Sequence, residues 1–304
     1  MPGFAPDTPL LPQLASDLLP WQPGLPTLML IGRQLTRAHA DQVLAHCGAL
    51  TVVVAETLPG GLERVGWQGP ARPGLPQLEG ECELQWLPPH LPSLSSPGLL
   101  LMDMDSTAIA MECIDEIARQ GGVYQQVATV TAEAMAGGLD FAESLRRRVA
   151  MLQGIPTSVL TELAKAPPLM PGLLTLCHTL KRHGWRLGLA SGGFNQVAAA
   201  VADAAGIDRF EANELGREGT VFNGVVDGAI VDAARKAALL AEWGTEWQIP
   251  PAQWVGMGDG ANDLPMLGQA ALGVGVHAKP AVVAQADAAI QRLGLDAVLG
   301  LLRP

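Results

Sequence analysis

Short apolar runs at Leu99–Met102 and at residues 186–190, 254–257 and 273–276 alternate with longer stretches of helical periodicity near 173–183, 194–205, 233–243 and 263–270. Apolar runs of this length with little polar alternation fit strands buried on both faces. Strands that alternate with helices fit a parallel sheet covered by helices on each side. A strand at Ala288–Ile290 and a hairpin segment at 220–226 would extend that sheet. The expected fold class is α/β. The mostly helical stretch over 108–166, broken at Gly121–Gly122, Gly137–Gly138 and 154–156, is too long for one crossover helix and reads as an inserted cap.

Active sites of open parallel sheets collect at the carboxyl ends of the strands. The first run here ends in Asp103-Met104-Asp105-Ser106-Thr107. Alternate residues of an extended chain share a face, so the two carboxylates point together and repel unless a cation or a shared proton separates them. The next run ends in Ser191-Gly192-Gly193-Phe194, and a later one in Gly258-Asp259-Gly260-Ala261-Asn262-Asp263, with Lys236 at the start of the helix between them. Each piece alone has a plain structural reading: a polar turn, a Ser-Gly-Gly turn, a solvated lysine, a tight turn whose Asn262 or Asp263 caps the next helix. Their joint order on alternating β/α units is harder to explain as punctuation.

Composition narrows the chemistry. A net charge of −11 argues against a nonspecific nucleic-acid surface, and an anionic substrate would need local positive charge to offset that field. Cys47, Cys82, Cys113 and Cys177 are scattered without paired spacing, which argues against zinc and a disulfide framework and for a reducing compartment. The first basic residue is Arg33, so the start lacks the charged region of a signal peptide, and apolar runs such as 49–55 are far shorter than a membrane span. The expectation is a soluble, cytoplasmic protein.

The four clusters, taken together, resemble the motifs of the haloacid dehalogenase superfamily, closest to its phosphoserine phosphatases, over residues 97–300. The resemblance implies a Rossmann-like sheet, a helical cap and bound Mg²⁺. The residue chemistry agrees: phosphoryl transfer needs charge neutralisation and in-line geometry above all. Asp103 is the candidate nucleophile and would form an aspartyl-phosphate. Asp105 is the candidate general acid and base. Asp103, Asp259 and the main-chain oxygen of Asp105 are candidate Mg²⁺ ligands. By the resemblance, Ser191 and the Gly192 amide donate to phosphoryl oxygens, Lys236 neutralises developing charge, Asn262 reaches the phosphate, and Asp263 orients Lys236.

Glu112 stands nine residues after Asp103, where the resemblance implies a partner for a substrate ammonium; a carboxylate favoured at a helix N-terminus is the competing reading. Arg148 closes a segment over 141–149 that resembles the cap element binding a substrate carboxylate, for which a guanidinium fork is suited. Phe141 reads equally as core or as a shield over the site. Met104, Ala108 and the residues before Lys236 depart from the family pattern. The implied reaction is Mg²⁺-dependent hydrolysis of O-phospho-L-serine to serine and phosphate, the last step of serine biosynthesis. The alternative is a phosphatase or phosphotransferase acting on another small phosphorylated amino acid or amine.

Residues 1–95 read as a separate unit and 96–304 as the phosphatase domain, with the cap over about 110–168. A strand over 27–31, a helix over 36–47, a strand over 50–55, a loop over 66–80 and a strand at Cys82–Leu87 give a weak βαβ rhythm, followed by a Pro- and Ser-rich linker over 88–98. By the resemblance, such a unit is ACT-like. A degenerate or dimerising module is as good a reading as a serine sensor, and a homodimer is possible.

Overall fold

The computed structural model describes residues 7–14, 17–135 and 140–304. The expected break at Gly137–Gly138 falls on 136–139, outside the described residues.

A short helix α1 (Leu11–Leu14) is followed by β1 (Thr27–Gly32), α2 (Arg37–Cys47), β2 (Thr51–Thr57), β3 (Glu63–Gln68) and β4 (Cys82–Leu87). These strands form an antiparallel sheet in the order β2-β3-β1-β4. Strand alternation sorts the side chains of β1. Leu28 and Leu30 pack with Ala40, Val43 and Cys47 of α2, whereas Met29 and Ile31 join the core of the larger unit. The expected loop over 66–80 is corrected at its start, because Gly66, Trp67 and Gln68 belong to β3. Gly66 looked like a loop signal, but a Cβ there would sit 2.6 Å from Val54 Cγ1, so the glycine permits close packing inside the sheet.

The larger unit is built on β5 (Leu99–Met102), whose four residues are all buried. Helices α3 (Cys113–Gln120), α4 (Tyr124–Met135), α5 (Phe141–Ala150) and α6 (Ser158–Lys165) follow, so residues 108–112 of the expected helical stretch are not helical. Then come α7 (Leu173–Arg182), β6 (Arg186–Phe194), α8 (Asn195–Ala205), β7 (Arg209–Glu218), β8 (Val221–Asp227), α9 (Ala233–Glu246), β9 (Trp254–Gly258), α10 (Leu264–Gln269), β10 (Leu272–Val276), α11 (Pro280–Val283) and β11 (Ala288–Ile290). The sheet order is β11-β10-β9-β5-β6-β7-β8, parallel except for β8 at one edge. Strand β7 was not foreseen: its charged, half-exposed sequence lacks the buried-strand pattern. The β7–β8 hairpin reaches the cap, where Phe222 exchanges main-chain hydrogen bonds with Gly154 and Ile155 between α5 and α6.

The two units are joined by buried polar contacts. Arg64 of β3 is fully buried and donates to the carbonyls of Leu299, Gly300 and Leu302 while pairing with Glu56. Glu83 of β4 accepts from the amides of Gln291 and Arg292, and Gln85 exchanges two hydrogen bonds with the backbone of Ala289. The Pro-rich segment over 88–98 is itself fastened: Gln253 accepts from the Ser93 amide and donates to the carbonyls of Ser93 and Ser96. Removing a donor from buried carbonyls costs their full desolvation. Arg64→Leu should therefore lower stability by about 2–3 kcal/mol, read as a drop in Tm and denaturant midpoint; an unchanged midpoint would show that Arg64 does not hold the units together.

Candidate active site

The carboxyl end of β5 sits between those of β9 and β6, so the three clusters meet there. The Asp103 amide donates to the Met257 carbonyl at 2.9 Å, extending the ladder to β9 by one residue and fixing where its carboxylate emerges. Lys236, fully buried in the first turn of α9, donates to Asp103 Oδ1 at 2.6 Å and Asp263 Oδ1 at 2.7 Å. Burial works against its charge, yet the two facing carboxylates hold the ammonium above its ordinary range. The other Asp263 oxygen accepts from the Gly260 amide at 3.0 Å. A Cβ on Gly258 would lie 2.4 Å from the Asp263 carboxyl, so only glycine allows β9 to end so close to it.

Asp105 accepts from the Cys113 amide and thiol, each at 3.1 Å, at the start of α3. Burial, with the Glu112 charge behind it, pushes its carboxyl up to about 7. Asp259 accepts from Thr107 Oγ1 at 3.2 Å, and burial followed by the Asp263 charge pushes it up to about 6. Asp103 is raised well above the ordinary carboxyl range by burial, against the pull of Lys236. Oxygens of Asp103, Asp259 and Asp263 lie within 4.8 Å of one another, close enough to share one cation. Asp263 has both oxygens engaged by Lys236 and Gly260, so Asp103 and Asp259 are the pair left to face a ligand.

A cavity of about 150 Å³ opens over this end of the sheet, with Asp103, Asp105, Glu112, Asp259, Asn262, Arg148 and Gly192 on its wall. Glu112 Oε1 accepts from Ser106 Oγ at 2.7 Å. Arg148 comes down from α5, and among the described residues only its Nε is engaged, by the Ser144 carbonyl at 3.4 Å. Burial lowers its pKa, while Asp115, Glu112 and Asp105 favour its charge. Two expected residues stand behind the wall. Lys236 lies under Asp103, and Ser191 is fully buried, its Oγ accepting from the Gly193 amide at 2.8 Å. Phe141 closes the cap side: a Cβ on Gly192 would lie 2.8 Å from its ring. A larger cavity of about 770 Å³ lies in the N-terminal unit, between α1, α2 and β2, and holds none of these acids.

Sequence reasoning missed several supporting residues. Asn213 of β7 donates to the Gly192 carbonyl at 2.8 Å and accepts from the Val231 amide, tying the Gly-Gly turn to the chain entering α9. It carried no signal because β7 was not foreseen. Cys113 was read only for zinc, disulfides and redox setting, and Lys279, also on the cavity wall, sits in an unremarkable His-Ala-Lys-Pro stretch. Met104, one of the departures from the family pattern, is fully buried and packs where a Cβ of Gly193 would otherwise come 2.7 Å from its Cε.

The mainly parallel sheet thus gathers buried acids and a buried lysine at the carboxyl ends of β5 and β9. The chain belongs to the haloacid dehalogenase-like hydrolases, whose family model matches residues 98–271. It is 44% identical over 211 residues to a phosphoserine phosphatase of Haemophilus influenzae, covering 69% of this chain and 67% of that one. It is 45% identical over 208 residues to a phosphoserine phosphatase of Idiomarina loihiensis, covering 68% of this chain and 94% of the relative. The crystal structure of a probable phosphoserine phosphatase from Vibrio cholerae, in unliganded form, superposes with a TM-score of 0.79 at 33% identity, covering 95% of this chain and 90% of that one. Among the described residues no helix is long and apolar enough to cross a membrane.

Proposed function

We propose that the protein is a phosphoserine phosphatase, hydrolysing O-phospho-L-serine to L-serine and inorganic phosphate. The observation that carries this reading is a single small cavity with nucleophile, acid–base partner and both head-group partners on its wall: Asp103, Asp105, Glu112 and Arg148. An Asp103 oxygen attacks phosphorus in line, and the bond from phosphorus to the serine oxygen breaks. Asp105, whose carboxyl titrates near 7 and so carries a proton readily at neutral pH, gives that proton to the leaving oxygen. Water then attacks the aspartyl-phosphate, the bond to Asp103 breaks, and Asp105 takes the water's proton. Lys236 offsets the negative charge on Asp103 and the phosphoryl group. The Gly192 amide and Asn262, on the cavity wall, donate to phosphoryl oxygens, and Ser191, behind the wall, supports that turn by accepting from the Gly193 amide. Glu112 pairs with the substrate ammonium and Arg148 with its carboxylate.

The donor set suits Mg²⁺, a hard cation that takes oxygen ligands: buried carboxylates with raised pKa values are those that a nearby cation would relieve. Asp103, Asp259 and the main-chain oxygen of Asp105 would hold it. When bound it neutralises phosphoryl charge.

Residues 1–95 form in this reading an N-terminal module and 96–304 the phosphatase domain, with the cap over about 110–168. The antiparallel order β2-β3-β1-β4 with α2 on one face supports an ACT-like module in which a loop stands in place of a second helix between β3 and β4. A structural or dimerising role suits it at least as well as ligand sensing. Four buried, unpaired cysteines fit a cytoplasmic setting.

A panel of phosphomonoesters with phosphate release measured tests the substrate. Phosphoserine should give the highest kcat/KM, and strong activity elsewhere with failure on phosphoserine would overturn the assignment. The metal is tested by its pH dependence. Asp259 is raised to about 6 in the folded chain. A raised carboxyl contributes stability below its unfolded value, and that contribution is lost as pH rises through the folded value. Mg²⁺ binds the deprotonated form, so the rise in Tm between EDTA and MgCl₂ should be larger at pH 8 than at pH 5. An equal rise at both would remove these carboxylates as ligands.

A further inference from the structure

One cation on the cavity wall has no part in the mechanism above. Lys279 lines the cavity over the acids and also the outer cavity of about 440 Å³ beside it, which Arg148, Phe141 and Asn262 share. Its side chain is exposed, and its ammonium has no partner among the described residues. Its backbone, by contrast, is pinned. His277 turns the chain after β10 in a left-handed conformation (φ 47°), with its amide held by the Ile290 carbonyl at 2.7 Å. Pro280 restricts Lys279 to the extended conformation it adopts, φ −63° and ψ 151°. Its carbonyl accepts from the amides of Val282 and Val283, opening α11. Strand β10 runs beside β9 in register, Gly275 against Gly258, so this turn stands next to Asp259, Gly260 and Asn262.

The charge balance gives that ammonium a task. The wall carries Asp103, Asp105, Glu112 and Asp259 against Arg148 and Lys279, while Lys236 lies behind it, bonded to Asp103 and Asp263. A phosphomonoester dianion must enter this field. We propose that Lys279 is a substrate-binding residue that meets the outer phosphoryl oxygens from the β10 side, leaving Arg148 to the carboxylate. A flexible, exposed lysine is a point charge. It acts on the ground-state dianion and the transition state alike, so it lowers KM with little effect on kcat.

The proposal rests on the phosphatase reading, and its test separates the two. Lys279→Met should raise KM for phosphoserine and the inhibition constant of inorganic phosphate by roughly tenfold each, leave kcat within about threefold, and leave inhibition by L-serine unchanged. Lys279→Arg should recover most of the loss. Wild-type KM should also rise more steeply with ionic strength than that of Lys279→Met. A rise confined to L-serine inhibition would move Lys279 to the carboxylate and overturn the proposal, as would unchanged KM and phosphate inhibition. Inorganic phosphate has no serine part, and p-nitrophenyl phosphate turnover supplies a readout independent of phosphoserine. A phosphate effect with no phosphoserine turnover would overturn the substrate and leave Lys279 standing.

Discussion

Asp103→Asn is expected to reduce phosphoserine turnover by ~10⁴-fold or more while leaving the fold at least as stable as the wild type. The two halves come from different physics. An amide oxygen is no nucleophile toward phosphorus, so the covalent step has no substitute in the cavity: Asp105 is held by Cys113 and Asp259 by Thr107. Stability moves the other way, because burial already drives the Asp103 carboxyl toward its neutral form. The side chain is isosteric and its oxygen can still accept from Lys236. Phosphate release and thermal unfolding in EDTA measure both halves. A hydroxylamine-sensitive phosphoryl-enzyme should be trapped with the wild type and absent from the variant. Turnover within a hundredfold of wild type would remove Asp103 as nucleophile.

What the sequence disclosed and what it withheld divide on physical lines. Leu99–Met102 was legible to the residue because a fully buried parallel strand has no polar alternation to blur it, and its end is marked by charges that are costly to bury. The acids gathered at the candidate site were legible for the same reason. Acids at Asp103, Asp105 and Asp259 are costly at buried strand ends, so their presence asks for an explanation. Strand β7 was not legible, since its Arg209, Glu211, Glu214, Arg217 and Glu218 read as a solvated segment. Four of them pair along its surface and with α9: Arg209 with Glu246, Arg235 with Glu211, Arg217 with Glu214. With β7 went Asn213, a site support that only the three-dimensional pairing of β6 and β7 brings beside Gly192. Lys279 was hidden differently. A lone lysine before a proline carries no periodic signal, and its position is set by β10 lying in register with β9, a long-range fact. The burial of Arg64 was likewise unreadable, because the carbonyls that receive it lie more than 230 residues away.

Lys236 carries the second large effect. Lys236→Met keeps the length and apolar body of the side chain and deletes a charge that holds two buried carboxylates, Asp103 and Asp263. Removing one partner of a buried ionic cluster strands the rest, a loss of about 3–5 kcal/mol. That loss should depend on pH. Without the ammonium, Asp103 is pushed further above its unfolded value, so its contribution is present at low pH and lost as pH rises through the raised folded value. The Tm gap between wild type and Lys236→Met should therefore be wide at pH 8 and narrow toward pH 5. Adding Asp263→Asn to Lys236→Met should recover part of the stability by removing one stranded charge, a coupling that a double-mutant cycle reads directly. It should not recover turnover, because Asp103 and the phosphoryl group still lack the cation beside them. A pH-independent gap, or a double variant no more stable than Lys236→Met alone, would mean that the cluster is held by packing and not by charge.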